Sequence, residues 1–386
     1  MSSTPNRAEV QAKTDLSLAS VFDGIEPSLP ESLFGEESRR EMRIVADSLP
    51  MRLSSFWGFE CRLGEPEPIS DILFEIKKET SGPAILAGDI PSSLDGLCEA
   101  YPAWERFRAL ARLWKDPGHP WNDEIRNLWL EMDLAGSDAE AVLRRPNIFF
   151  GPYEKTPQER VFSLIEELMV MFERPACALQ EFSDCLPEGA RVFQIGFMLS
   201  RPDDAGLRMC VDKTSEEPEK ILDWCAALRP GMSASEAESL KEVFASVFPL
   251  CRHVNFGFNL TEDGVGGVFG MECYEEWLEE DPAQWRPMLD KLTREGLCLP
   301  EKAHGAADYV GITRSPVRSR IDDDVIFLNT YRKIHHVKLT LSGGVPAQAK
   351  AYFSVGRPGL PLSMFGIISA AREADAQAGH AWGVCE

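Results

Sequence analysis

The chain has 386 residues, 44% of them hydrophobic and 26% charged, and this composition excludes a collagen-like, coiled-coil or largely disordered protein. Its 62 acidic residues exceed the 40 Lys and Arg by 22, which argues against general electrostatic binding to nucleic acid or to an anionic membrane. No run of 18 apolar residues occurs, and residues 1–15 lack the apolar core of a secretory signal, so we predict a cytoplasmic protein.

One helix and strand pattern recurs along the chain. Residues 1–35, polar and rich in Pro and Ser, are predicted to form a loose tail, followed by a single domain over 36–386. The predicted strand pairs are 56–63 with 71–78, 127–135 with 147–151, 191–201 with 207–212, 253–260 with 268–275, and 333–341 with 348–355. The predicted helices are 38–49, 94–114, 157–172, 218–228, 234–247, 282–296 and 362–377.

The strand pairs therefore recur five times, with helices between successive pairs, and a repeated supersecondary unit is evidence about architecture. The connections within most pairs are short enough for antiparallel hairpins. Ten antiparallel strands can close into a barrel, which removes the sheet edges. We predict an α/β (α+β) fold: a closed antiparallel ten-stranded barrel built from five helix-strand-strand-helix repeats, with the helices outside. An open sheet with helices on one face remains the alternative.

Side chains alternate between the two faces of a strand, so each predicted strand can be divided. In strand 253–260, Val254, Phe256 and Phe258 form an apolar face, and Asn255 and Asn259 lie opposite. The apolar face should pack against helices and the polar face should line the lumen, because a barrel of ten strands is wide enough to leave a cavity. The candidate lumen residues with useful chemistry are Glu60, Trp129, Phe149, Arg208, Glu272, His336, Lys338, Gln348, Lys350 and Tyr352.

This layout resembles the ABBA fold, the barrel of aromatic prenyltransferases, over roughly residues 36–376. The short context Phe59-Glu60-Cys61 is similar to that of the Glu that acts as a base toward the acceptor in the indole-type enzymes of that family. Lys350-x-Tyr352, preceded by Gln348, looks like the family's diphosphate-binding pattern.

Arg208 matches the basic residue that the family carries on its third strand pair. Asn147 and Phe149, however, occupy positions where the family usually has a Lys and a Tyr. The resemblance implies transfer of an allylic prenyl group from a diphosphate to an aromatic, peptide or other nucleophilic acceptor in secondary metabolism. No cofactor is expected to be required, and participation of Mg²⁺ is left open.

The resemblance also implies roles for individual residues. The diphosphate would be bound by Arg208, Lys338, Lys350, Tyr352, Gln348 and His336. Aromatic side chains, Trp129 and Phe149, would shield the allyl cation by cation–π contact. Glu60 is the first choice for the base and Glu272 the second.

Several alternatives stay open. The barrel could bind a small molecule or peptide without catalysis, or catalyse another reaction on a peptide. Glu60 could be a structural partner of Arg62 or Lys77, and Lys350 could pair with a lumen carboxylate. No metal site is predicted, because the adjacent His335 and His336 should point to opposite faces of their strand.

Two further sequence features are predicted to be structural. The acidic run 322–324 is expected to be a solvated loop rather than a magnesium site, because no helix accompanies it. The ten scattered cysteines, which include no Cys-x-x-Cys pair, are expected to be free thiols.

Overall fold

The computed structural model describes residues 18–54, 56–134, 139–201, 206–212, 218–229, 231–275, 282–318 and 325–356. The helices are α1 Ala19–Ile25, α2 Glu36–Ser48, α3 Gly82–Ala87, α4 Leu94–Ala100, α5 Pro102–Lys115, α6 Trp121–Glu124, α7 Ala139–Arg144, α8 Gln158–Met171, α9 Leu179–Cys185, α10 Pro218–Leu228, α11 Ala234–Val247, α12 Arg286–Arg294 and α13 Pro300–Tyr309. The strands are β1 Phe56–Arg62, β2 Ser70–Lys77, β3 Ile125–Met132, β4 Asn147–Pro152, β5 Arg191–Phe197, β6 Leu207–Asp212, β7 His253–Thr261, β8 Gly264–Tyr274, β9 Gly311–Arg318, β10 Val325–Ser342 and β11 Val345–Gly356.

Ten of these strands form a closed antiparallel barrel. The order around it is β1 to β8, then β10 and β11, and β11 pairs again with β1. The pairs Trp57 with Val355 and Arg62 with Lys350 mark the two ends of this closing ladder. The predicted barrel of five strand pairs with helices between them is therefore confirmed.

An eleventh strand, β9, was missed by the sequence analysis. It pairs antiparallel with the first half of β10, from Gly311 opposite Arg332 to Arg318 opposite Val325. Pro316 lies within β9, and a proline inside a run of residues normally argues against a strand. Here β9 pairs with β10 alone among the described strands, so it is an edge strand, where a missing N–H donor is tolerated.

The outward faces of the strands pack against the helices, as predicted. Phe256 and Phe258 of β7 are fully buried, and their rings lie 5.6 Å and 5.3 Å from the ring of Trp224 in α10. Phe244 of α11 contacts Phe256 at 6.0 Å. These apolar faces form the main hydrophobic core, between the barrel wall and its helices, which leaves the inward faces free for polar side chains.

The prediction of a loose tail over 1–35 is wrong for residues 18–35, the part of that segment that the structure describes. Helix α1 and the turn after it cover the outer face of β1, where Phe22 stacks on Trp57 at 6.0 Å and Phe34 meets Phe59 edge-on at 5.1 Å. Phe22 and Phe34 are fully buried. The segment lacks a regular hydrophobic period, but its few apolar residues are enough to anchor it.

The sequence analysis also missed the helices α3, α6, α7, α9 and α13. The predicted helix 94–114 is two helices, α4 and α5, because Pro102 holds Tyr101 in an extended conformation. Nine of the ten cysteines lie in the described residues and all nine are free, as predicted. The predicted helix 362–377 and the acidic run 322–324 lie outside the described residues. None of the described helices has both the length and the hydrophobicity that a membrane span requires.

We predict that Phe22→Ala destabilises the protein by about 3–5 kcal/mol, because it removes a fully buried aromatic ring from the interface between α1 and β1. Val170→Ala, on the solvent side of α8, is the control and should change stability little, since Val170 is 81% exposed. Chemical denaturation of the two variants measures the effect. Equal stability of Phe22→Ala and the wild type would show that the segment contributes nothing to the fold.

Candidate active site

The barrel encloses a cavity of about 700 Å³. Its basic lining residues are Lys77, Arg126, Arg201, Arg208, Lys338 and Lys350, and its acidic ones are Glu60, Glu75, Glu79, Glu131 and Glu272. Six bases against five acids leave this lining near neutrality, although the whole chain carries a formal charge of −22. An anionic ligand in the cavity is therefore not repelled by a local excess of negative charge, unlike one at the acidic surface of the protein.

The first of two similar charge units is centred on Glu60 of β1. Lys350 of β11 donates to Glu60 Oε1 at 2.5 Å, and the Tyr352 hydroxyl donates to Glu60 Oε2. Burial alone would raise the pKa of Glu60, but the Lys350 ammonium and these hydrogen bonds outweigh it and lower the pKa to about 2. The carboxylate is therefore ionised at neutral pH. Its partner is neither Arg62 nor Lys77, the two proposed from the sequence.

The second unit repeats the same arrangement around Glu272 of β8. Lys338 of β10 donates to Glu272 Oε1 at 2.9 Å, and the Tyr274 hydroxyl donates to Oε2 at 3.0 Å. Burial opposes ionisation here too, but Lys338 is the main influence that lowers the pKa of Glu272 to about 2. In both Lys–Glu–Tyr units, one carboxylate oxygen accepts from an ammonium group and the other from a phenol.

Two glycines lie beside the cations on this side of the barrel. Gly257 of β7 lies opposite Gly270 of β8. A Cβ atom on Gly257 would lie 3.6 Å from both Arg208 Nη1 and Lys338 Nζ, and a Cβ on Gly270 would lie 2.5 Å from Lys338 Cε. A side chain on Gly270 would displace Lys338, whereas a Cβ on Gly257 would make ordinary contact with both cations. Lys350 is directly across the strand pair from Lys338, so three cations form one group.

Adjacent histidines on β10 both line the cavity, which contradicts the prediction that they point to opposite faces. The register shifts between Ile334 and His336, so His335 is an extra residue in a β-bulge. The two Nδ1 atoms lie 2.8 Å apart. Burial lowers the pKa of His336 to about 4, so its ring is neutral at pH 7. No group of three or more potential metal ligands occurs among the described residues.

The His336 ring connects the two Lys–Glu–Tyr units. It stacks on Tyr352 with ring centroids 4.1 Å apart and lies 4.8 Å from the Tyr274 ring. These tyrosines donate to Glu60 and Glu272 respectively. The stack holds both phenols beside their carboxylates.

Across the barrel, strands β1 to β5 contribute the aromatic part of the lining. Phe56 meets Trp129 edge-on at 5.3 Å, and Phe149 and Phe193 also line the cavity. A Cβ on Gly196 would come within van der Waals overlap of the Phe149 ring, so this glycine gives the ring its space. Lys77 and Arg126 lie on the same side as these rings, whereas Arg208, Lys338, Lys350 and the two histidines lie on β6, β10 and β11.

A carboxyl that the sequence analysis did not select, Glu131, lies at the aromatic side. It is 7% exposed, and its Oε1 is 3.5 Å from Asn147 Nδ2 and 3.8 Å from Arg201. Burial, reinforced by the charges of Asp133 and Glu60, raises the pKa of Glu131 well above its ordinary value. The surroundings of Glu131 therefore favour its protonated form. The sequence places Glu131 on the same face of its strand as Trp129, but it does not reveal which groups surround the carboxyl.

Of the ten candidate residues from the sequence, all except Gln348 line the cavity. The Gln348 amide donates to Glu65 Oε1 at 2.6 Å, in the β1–β2 connection. Gln348 lies on the same face of β11 as Lys350 but nearer the end of the strand. Tyr274, His335, Arg126 and Arg201 are lining residues that the sequence analysis missed.

Comparisons with known proteins agree with this architecture. No protein-family model and no curated protein sequence matches the chain. Among solved structures, the 6-dimethylallyltryptophan synthase of Micromonospora olivasterospora is 14% identical with a TM-score of 0.52, and the match covers 88% of this chain and 97% of that one.

Two other solved structures give the same result. The 5-dimethylallyltryptophan synthase of Streptomyces coelicolor is 13% identical with a TM-score of 0.52, covering 88% of this chain and 97% of its own. The prenyltransferase PriB is 13% identical with a TM-score of 0.55, covering 88% and 96%. At this identity the likeness shows a shared fold, and it confirms the predicted ABBA barrel.

We predict that Glu131→Gln removes a pH-dependent loss of stability. Because the pKa of Glu131 is higher in the folded state than its ordinary 4.5, ionisation opposes folding, and wild-type stability falls as the pH rises above that value. The loss should approach about 1.4 kcal/mol per pH unit until the folded-state pKa is reached. The amide variant lacks this ionisation.

Thermal melts of the wild type and Glu131→Gln between pH 4 and pH 9 test this. The melting temperature of the variant should increase relative to that of the wild type as the pH rises. A variant that is less stable by a constant amount at every pH would instead show that the Glu131 carboxyl is a structural acceptor.

Proposed function

We propose that the protein transfers an allylic prenyl group from a prenyl diphosphate to an aromatic or other nucleophilic acceptor. The observation that carries the proposal is the group of three cations, Arg208, Lys338 and Lys350, in the same cavity as an aromatic wall. The neighbours described above support it, since crystals of one of them hold tryptophan and a dimethylallyl diphosphate analogue called DMASPP.

In this proposal the diphosphate lies in the cavity beside Arg208, Lys338 and Lys350. Arg208 forms no hydrogen bond or ion pair with another described residue, so it is free to bind a phosphate oxygen. Lys338 and Lys350 would add two ammonium groups. Hydrogen bonds between charged groups are strong, and fixed cations stabilise the negative charge that develops on a leaving diphosphate.

The allylic C–O bond breaks with its electron pair leaving on the diphosphate, and the acceptor forms a new bond to the allylic carbon. Trp129, Phe149 and Phe56 would exclude water from the cationic carbon and stabilise it by cation–π contact. The acceptor then loses a proton, so the products are the prenylated acceptor, diphosphate and one proton.

We assign the proton acceptor to Glu60, with Glu272 as the second choice. A carboxylate with a pKa of about 2 is a weak base, but a ring cation formed by carbon–carbon bond formation is a far stronger acid. The ionised Glu60 would also accept a hydrogen bond from an acceptor N–H or O–H and hold it in place. No metal is needed in this scheme, because protein cations neutralise the diphosphate; chelation with EDTA should leave turnover unchanged.

A second candidate function is binding of a small molecule or peptide without catalysis. Two observations favour it: Lys338 and Lys350 are engaged by carboxylates, and Asn147 and Phe149 replace residues that the resemblance led us to expect. A wild-type protein that binds acceptors but transfers no prenyl group from any donor would favour this function.

We predict that Glu60→Gln lowers turnover by about 10²–10⁴-fold, since the amide keeps the shape of the side chain but removes its charge and basicity. Product formation from dimethylallyl diphosphate with a panel of indoles and phenols measures the effect, and thermal melts confirm folding. Full activity of Glu60→Gln would move the base to Glu272. A loss of stability without a loss of turnover per folded molecule would make Glu60 structural.

We predict that Arg208→Ala and Lys350→Ala each weaken binding of the donor by about 1.5–3 kcal/mol, because each removes a charged hydrogen-bond donor. Acceptor affinity should change much less. Lys77→Ala is the matched control. Lys77 lines the same cavity, but it lies on β2 and pairs with Glu75 of the same strand at 3.5 Å. Calorimetry with a non-hydrolysable donor analogue gives the affinities. Unchanged donor affinity in the Arg208→Ala, Lys350→Ala double variant would place the donor elsewhere.

A further inference from the structure

The lysine of each Lys–Glu–Tyr unit has two possible partners, the glutamate of its own unit and the donor diphosphate. In the structure, Lys350 and Lys338 each donate to one glutamate, at 2.5 Å and 2.9 Å. In the proposed function the same ammonium groups bind the donor diphosphate. Lys338 lies across one strand pair from Glu272 and across the other from Lys350, so both uses involve the same atoms in the same small space.

Glu60 also has two possible sets of partners, its present hydrogen-bond donors and the acceptor substrate. Each of its oxygens already accepts a hydrogen bond, one from Lys350 and one from Tyr352, and the side chain is 5% exposed. Each carboxylate oxygen can accept a second hydrogen bond, but an acceptor N–H competes with the Lys350 ammonium for the negative charge of this nearly buried group. The competition ends when a stronger anion draws that ammonium group away.

We propose that Glu60 and Glu272 act as internal competitors of the donor, and that diphosphate binding releases Glu60 to receive the acceptor. The donor, with more than one negative charge and several oxygens, takes over Lys350 and Lys338. Glu60 then keeps its hydrogen bond from Tyr352 and gains a free acceptor position. This inference rests on the proposed function and adds an order of binding to it: donor before acceptor.

The competition makes a prediction that a purely structural ion pair does not. Removing the charge of a competing carboxylate should tighten binding of inorganic pyrophosphate, by about threefold or more, because the freed ammonium group forms a charged hydrogen bond without first leaving a partner. We therefore expect Glu60→Gln and Glu272→Gln each to bind pyrophosphate more tightly than the wild type in calorimetry. Glu60→Gln should do so while turnover falls.

Glu75→Gln is the matched control. Glu75 is a buried carboxyl that lines the same cavity, but its contacts include Asn127 at 2.5 Å and Lys77 at 3.5 Å rather than Lys338 or Lys350. Its substitution should change pyrophosphate affinity by less than about twofold, which measures the general effect of removing one negative charge at longer range.

The order of binding is tested with indole as the probe acceptor. Saturating pyrophosphate should tighten indole binding to the wild type by about threefold or more, and this coupling should be lost in Glu60→Gln. By thermodynamic reciprocity, indole should tighten pyrophosphate binding to the wild type by the same factor.

The outcomes separate the inference from the function. If the wild type binds pyrophosphate but the Glu60→Gln and Glu272→Gln variants bind it equally or more weakly, the inference is wrong and the donor site stands. If indole affinity is the same with and without pyrophosphate, the proposed order is wrong. If neither the wild type nor any variant binds pyrophosphate, the proposed function fails and the inference fails with it.

Discussion

The interior of this barrel depends on two buried ion pairs, Lys350 with Glu60 and Lys338 with Glu272. Charges held away from water require partners, since an isolated buried ion would be neutralised or would unfold the chain. The first pair lies on the ladder that closes the barrel, and the second lies two ladders further along the wall. The first joins the last strand to the first, and the second joins β10 to β8. Closing the sheet thus brings Lys350 to Glu60, and the two pairs provide partners for charged side chains on the enclosed face.

The same pairs set the chemistry of the cavity. They keep two carboxylates ionised in a buried site and hold two ammonium groups close to Arg208, while the neutral His336 ring keeps Tyr352 and Tyr274 beside those carboxylates. Burial, together with the charges of Asp133 and Glu60, instead raises the pKa of Glu131, although Arg201 lies 3.8 Å away. Three buried carboxyl groups in one cavity therefore have pKa values shifted in opposite directions, downward for Glu60 and Glu272, to which a lysine donates, and upward for Glu131.

The sequence predicted the features that follow from local pattern. Alternation with a period of two separated Phe256 from Asn255 and placed Glu60, Lys338 and Lys350 in the lumen, and the recurrence of strand pairs indicated the barrel. Features that depend on contacts between distant residues were not predictable. Lys350 and Glu60 are 290 residues apart in the chain, and their pairing depends on the closure register. The bulge at His335 reverses the face of one residue without any local sequence signal. Residues 18–35 pack through a few isolated apolar side chains that no periodic pattern reveals.

We propose that the lysines of the two Lys–Glu–Tyr units leave their glutamates for the donor diphosphate. A crystal structure of the protein soaked with pyrophosphate tests this most directly. We expect phosphate oxygens within about 3 Å of Lys350 Nζ and Lys338 Nζ, beside Gly257 and Gly270, with the Lys350–Glu60 contact broken. Pyrophosphate bound elsewhere in the cavity, with Lys350 Nζ still 2.5 Å from Glu60 Oε1, would contradict it.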